Sequence, residues 1–183
     1  MDSGLAIRHR RCLHRAAVVE LIRLLDADHD NLERTVWDLL ETRELKAGLD
    51  LLQLAFSAHA EAEAIILRSV LVTRPPPQLA TTLERVLADH VEQERAIVCL
   101  LAHPVGTAAW RAGVLELQVM MQFHATHERD YALPALRDLA PPATVRGIAS
   151  TYATERLRAL GVTRSPLSDQ LPAEPATLRA RTA

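Results

Sequence analysis

Apolar residues recur along this chain at alternating intervals of three and four positions, the period at which one face of an α-helix turns toward a core. The stripes are Leu21, Leu25, His29, Leu32, Val36, then Leu52, Phe56, His59, Glu63, Ile66, Val70, then Leu83, Leu87, His90, Glu94, Ile97, Leu101, and last Leu117, Met121, His124, Glu128, Tyr131. Proline and glycine punctuate them. The pattern predicts helices from about Arg15 to Arg43, Lys46 to Val72, Gln78 to Ala102 and Thr107 to Leu139, with Pro75-Pro76-Pro77 and Pro104–Gly106 as stops and Pro134 as a kink or an early end. A shorter amphipathic segment then runs from Pro141-Pro142 to Gly161, carrying Val145, Ile148 and Tyr152 on one stripe. The short connections predict an up-down four-helix bundle with one additional short C-terminal helix.

Composition supports this all-α reading. Aromatic residues make up 3% of the 183 positions and glycine occurs 6 times, while alanine, leucine and arginine abound. Such a mixture favours helices over strands. Hydrophobic content of 49% gives a chain of this length enough material for one core. Residues 1–14 read as a basic lead-in, 15–161 as the helical domain, and 162–183, with Pro166, Pro172 and Pro175, as a mobile tail.

Charge and hydropathy exclude several function classes. A net charge of -2 with no long basic stripe disfavours nucleic acid as a partner. No apolar run is long enough to span a bilayer and the N-terminus lacks a secretory h-region, so the expected compartment is the cytoplasm. Cys12 and Cys99 have no metal-type spacing and read as bystanders.

The chemistry lies in four repeats of one spacing. His29 and Glu33, His59 and Glu63, His90 and Glu94, and His124 and Glu128 are each four positions apart. On a helix such residues stack about 5 to 6 Å apart on one face, so each pair offers an imidazole nitrogen and a carboxylate oxygen to the same region. Any one pair, taken alone, reads as an ordinary surface pair. Four on core-facing stripes do not, because burying a carboxylate without compensation costs on the order of several kcal/mol. Measured along the helices from the predicted turns, the four motifs lie within about one helical turn of a common level. A cation is the economical explanation.

An internal duplication points the same way. Ala27-Asp28-His29 with Glu33-Arg34 matches Ala88-Asp89-His90 with Glu94-Arg95, and each is followed by a second histidine motif, which suggests two helical hairpins around a two-metal site. Here the chain resembles the hemerythrin-like proteins, the HHE cation-binding family, over about Val18 to Leu139. The resemblance implies a non-haem diiron centre with His29, His59, Glu63, His90, His124 and Glu128 as metal ligands. It implies that Glu63 and Glu128 bridge, with His29 and His59 on one iron and His90 and His124 on the other. The expected cofactor is two iron ions, and manganese or zinc would tolerate the same donors.

Three departures set this chain apart from the family's oxygen carriers. Glu94 stands where they carry a second third-helix histidine, Glu128 follows the last histidine by four residues where they have an aspartate after five, and Glu33 has no counterpart. If Glu33 and Glu94 also coordinate, four carboxylates would favour the ferric state. Arg34 and Arg95 offer each an ion pair instead. The implied function is reaction with oxygen, peroxide or nitric oxide rather than reversible carriage; the alternative is an iron-sensing or iron-storage module without turnover. Whether the chain is an enzyme stays open. Tyr131, Met120, Met121, Trp37 and Trp110 read as packing residues, and His127 as solvent-facing.

Overall fold

A computed structural model describes the backbone of residues 3–41 and 44–161, with side chains from residue 16 onward. All regular structure among the described residues is helical. Helix α1 spans Ser3–Glu41, α2 Leu45–Leu71, α3 Pro77–Leu101 and α4 Ala108–His127; a π-helical turn, Glu128–Ala132, joins α4 to α5, Leu133–Leu139, and α6 follows at Ile148–Ala159. None of the helices among the described residues is long and apolar enough to cross a membrane.

The boundaries follow local chemistry. After α2, Arg74 adopts a left-handed backbone with φ of 53°, and Pro77 at the first turn of α3 needs no N–H partner. Thr107 caps α4 by accepting the Trp110 amide at 3.2 Å. Gly147, with φ of 79°, begins α6. Pro134 leaves the Asp130 carbonyl without its usual amide and crowds it. The chain answers with a π turn, in which the Leu133 amide bonds to the Glu128 carbonyl five residues back, and then resumes as α5.

One expectation changes here. Helix α1 is helical from Ser3, so the basic stretch expected to be a lead-in up to residue 14 is continuous with the first helix. The tail assigned to 162–183 lies outside the described residues.

Two apolar clusters form the core. One joins Leu21, Leu25, Ile66, Val70, Leu83, Val86, Leu136 and Tyr152; the other joins Leu32, Val36, Leu52, Phe56, Ile97, Leu100, Val114 and Leu117. The chain runs from the first cluster to the second along α1, back along α2, forward along α3 and back from α4 through the π turn into α5. It therefore crosses the intervening level four times. α1 packs on α2 and α4, α3 packs on α2 and α4, and α6 lies along α2 and α1. The polar residues that α1–α4 and the π turn contribute sit at that level.

Candidate metal centre

His29, His59, His90 and His124 are all buried and meet at one level, as their depths along the helices predict. Ring centres are 4.9 Å apart for His29 and His59, 4.6 Å for His90 and His124, and 5.3 Å for both His29–His124 and His59–His90. Two carboxylates stand among them. Glu63 is 0% exposed and Glu128 is 1% exposed.

Glu63 Oε2 lies 3.4 Å from His59 Nε2, 3.2 Å from His90 Nε2 and 4.0 Å from His124 Nε2. Glu128 Oε2 lies 3.2 Å from His29 Nε2 and 4.0 Å from His124 Nε2. None of these atoms makes a hydrogen bond: both oxygens of each carboxylate and Nε2 of all four rings are buried and unsatisfied. Two donors bound to one first-row ion at about 2.1 Å and at angles between 90° and 180° stand about 3.0 to 4.2 Å apart. The observed separations fall in that range. The donor atoms form two groups within 4.8 Å, one of His59, Glu63, His90 and His124 and one of His29, His124 and Glu128, each able to hold a metal ion.

Ring centres and donor atoms divide the histidines differently. The expected pairs, His29 with His59 and His90 with His124, have the shortest ring separations, yet the donor groups cut across them. Coordination is made by atoms, so the donor groups are the better guide. Each carboxylate then touches histidines of both expected pairs.

The electrostatics follow from burial. Burial pushes both carboxyls up; His90, His59 and His124 reverse this for Glu63 and hold it below the usual carboxylate range. Glu128 is driven well above its ordinary value by burial and by the neighbouring Glu63 charge. Burial, reinforced by the neighbouring imidazoles, also lowers His29 well below its usual value, and it lowers His59. For His29 and His59 burial thus favours the neutral form that metal binding requires.

Glu94 is a correction. It is exposed, and the neighbouring residue, Gln93, faces the site instead, 1% exposed and with Oε1 unpartnered. The buried stripe of α3 is Leu79, Leu83, Val86, His90, Gln93, Ile97, Leu100, with steps of four, three, four, three, four and three. A helix turns 100° per residue, so Glu94 falls on the outer side of His90 once the stripe is centred there. Glu33 is partly buried and belongs to neither donor group; it lines a surface cleft. Two carboxylates and not four therefore belong to the donor groups. Tyr131 is also displaced: it is 64% exposed, because the π turn spends an extra residue and brings Ala132 and Leu133 inward in its place. His127 is partly buried, its Nδ1 3.9 Å from Asp89, rather than simply solvent-facing. Trp37 is largely exposed, whereas Trp110 and Met121 pack in the core as expected.

Three residues that support the rings escaped the sequence reading of the site. Asp89 Oδ2 is 3.9 Å from His124 Nδ1, and Arg85 pairs with the other oxygen at 2.8 Å. Asp28 stands equivalently beside His59, its Oδ2 3.9 Å from Nδ1, but the hydroxyl of Tyr152 bridges the gap: it is 2.9 Å from His59 Nδ1 and donates to Asp28 at 2.5 Å. Arg156 also donates to Asp28. Burial would raise Asp28, but contacts with His59, Tyr152 and Arg156 hold it below its ordinary value. The repeated Ala-Asp-His triplets at 27–29 and 88–90 were a signal for the two aspartates. Nothing local signals Tyr152.

A cleft of about 480 Å³ opens beside the centre, lined by residues of α1 and α4 that include Asp26, His29, Asp30, Glu33 and Gln122, and by Arg129. His29 also borders a small space lined by His59, Gln93 and His124, so it lines both. No protein-family model, curated protein or solved structure matches the chain.

Proposed function

We propose that this chain is a hemerythrin-like protein: an up-down four-helix bundle, with its fourth rod interrupted by the π turn, that holds two non-haem iron ions and reacts with oxygen, peroxide or nitric oxide. The observation that carries the reading is the layer of four imidazoles and two carboxylates, all buried, with every Nε2 and every carboxylate oxygen unsatisfied and 3.2 to 4.0 Å between facing donors. Leaving such groups buried and unpaired is costly, and cations between them would remove the cost.

His29, His59, His90 and His124 would hold the ions from the four rods, with Glu63 and Glu128 as bridges, since each carboxylate faces histidines of both expected pairs. Bound iron would supply one-electron redox chemistry and coordination positions for a small ligand. Four imidazoles and two bridging carboxylates would leave positions free on ions that take roughly five or six donors each. Of the two carboxyls, Glu63 is held below the ordinary range and Glu128 above it, so Glu63 would be the readier anionic donor. His29 lines the cleft, which would be the approach for a small solute. The apolar clusters above and below exclude bulk water.

Anaerobic reconstitution with ferrous iron, elemental analysis, and spectra before and after air test the reading. Two irons per chain and an air-dependent ligand-to-metal absorption band are expected. No stoichiometric metal, or full retention of metal after His124→Ala, would overturn it.

A further inference from the structure

Tyr152 reaches the metal layer from outside the four rods, and its hydrogen bonds have only one consistent direction. Arg156 donates to Asp28, and the Tyr152 hydroxyl donates to the same carboxylate oxygen at 2.5 Å, since a carboxylate can only accept. The hydroxyl proton is thus committed. The phenol oxygen must accept from His59 Nδ1, 2.9 Å away, so that nitrogen carries the proton. In the neutral ring Nε2 is then the bare nitrogen, and it lies 3.4 Å from Glu63 Oε2. A lone pair facing a carboxylate oxygen in a fully buried place is repulsive until a cation lies between them.

We propose that Tyr152 is a positioning residue that holds His59 in the Nδ1–H tautomer with Nε2 aimed into the metal layer, and that through it the docking of α6 and the occupancy of the site regulate each other. The proposal rests on the metal-binding reading above. Its physical basis is reciprocity: if docked α6 improves His59 as a ligand, bound metal stabilises docked α6 by the same factor. In the duplicated half Asp89 Oδ2 stands 3.9 Å from His124 Nδ1, and among the described residues no hydroxyl bridges the two. Helix α6 is suited to the role. Ile148, Ala149 and Tyr152 pack into the first apolar cluster beside Ala62, and the polar contacts of Tyr152 and Arg156 fall on one residue of α1 and one of α2.

Zinc(II) alone is the probe, because it is redox-silent and diamagnetic. Nitrogen-15 spectra of the metal-free protein are expected to show His59 protonated at Nδ1. Tyr152→Phe, which keeps the ring and removes only the hydroxyl, is expected to weaken zinc binding about 10- to 100-fold, the usual effect of losing a partner that orients a ligand. Zinc is expected to slow amide exchange in α6 of the unmodified protein, with that protection lost in Tyr152→Phe. A His59 protonated at Nε2 in the metal-free protein would overturn the proposal. So would unchanged zinc affinity and unchanged α6 protection in Tyr152→Phe. If that variant fails to fold, the tautomer in the unmodified protein and zinc-dependent protection of its α6 decide the matter. If the unmodified protein takes no zinc and no iron, the metal-binding reading fails, while the tautomer still reports on Tyr152.

Discussion

Glu128→Gln separates what the buried carboxyl does for the fold from what it does for metal. In the metal-free protein burial and the Glu63 charge favour the neutral form of Glu128, and an uncharged amide has nearly the shape of that acid. The expected change in metal-free stability at pH 7 is within about 1 kcal/mol, far below the 3 to 5 kcal/mol typical of breaking a buried charge pair. With metal the outcome differs. A ligand present at about 1,000 times its dissociation constant stabilises the folded state by about 4.1 kcal/mol, which for a chain of this size is roughly 8 to 16 °C in melting temperature. Glu128→Gln should lose most of that increment, because an amide oxygen is a poor substitute for a bridging carboxylate. Proton traffic gives a second readout: binding expels the proton from Glu128, so affinity in the unmodified protein should rise about tenfold per pH unit for that proton while Glu128 is protonated, and the substitution should remove this component. Urea denaturation with chelator and with metal, plus titration calorimetry in buffers of different ionisation enthalpy, measure both. Destabilisation of the metal-free protein by more than about 2 kcal/mol would show that Glu128 is ionised and partnered there. An undiminished metal increment would show that it is not a ligand.

Three further outcomes are expected. Metal-free protein should lose stability on acidification through about pH 6.5: His29 and His59 have lowered values in the folded state, so the unfolded chain takes up their protons first, with a limiting slope of about 1.4 kcal/mol per pH unit for each histidine. A flat denaturation profile from pH 7 to 5 would contradict their burial as neutral rings. Glu94→Gln should leave metal affinity within about twofold by chelator competition, since the residue is exposed; a large loss would restore it as a ligand. Leu83→Ala, which empties a position 1% exposed in the first apolar cluster, should cost about 2 to 5 kcal/mol in chelator-treated protein by urea denaturation, and a cost below 1 kcal/mol would show that the site is loosely packed.

The helices, their proline-marked ends and the level of the four histidines are legible in the chain because each depends on neighbours in sequence. Proline triplets stop helices wherever they occur, and depth along a rod is a count of residues at a constant rise. The stripe of α2 was read without error from Leu52 to Val70, and with it His59 and Glu63. The stripe of α3 slipped: His90 was placed, but Glu94 was chosen where Gln93 faces inward. A spacing of four and a spacing of three both keep a residue near a given face, and only the neighbouring helices decide which side of the histidine is covered. Tyr131 left its stripe for a different reason, since one π turn rotates everything after Glu128. Tyr152 was read from its spacing as a stripe residue of the last segment, but its partner His59 lies 93 positions away. Local periodicity sets which side of a helix is apolar. Hydrogen bonds between residues so far apart arise only when packing brings their helices together, so the clamp on His59 was decided by the tertiary structure alone.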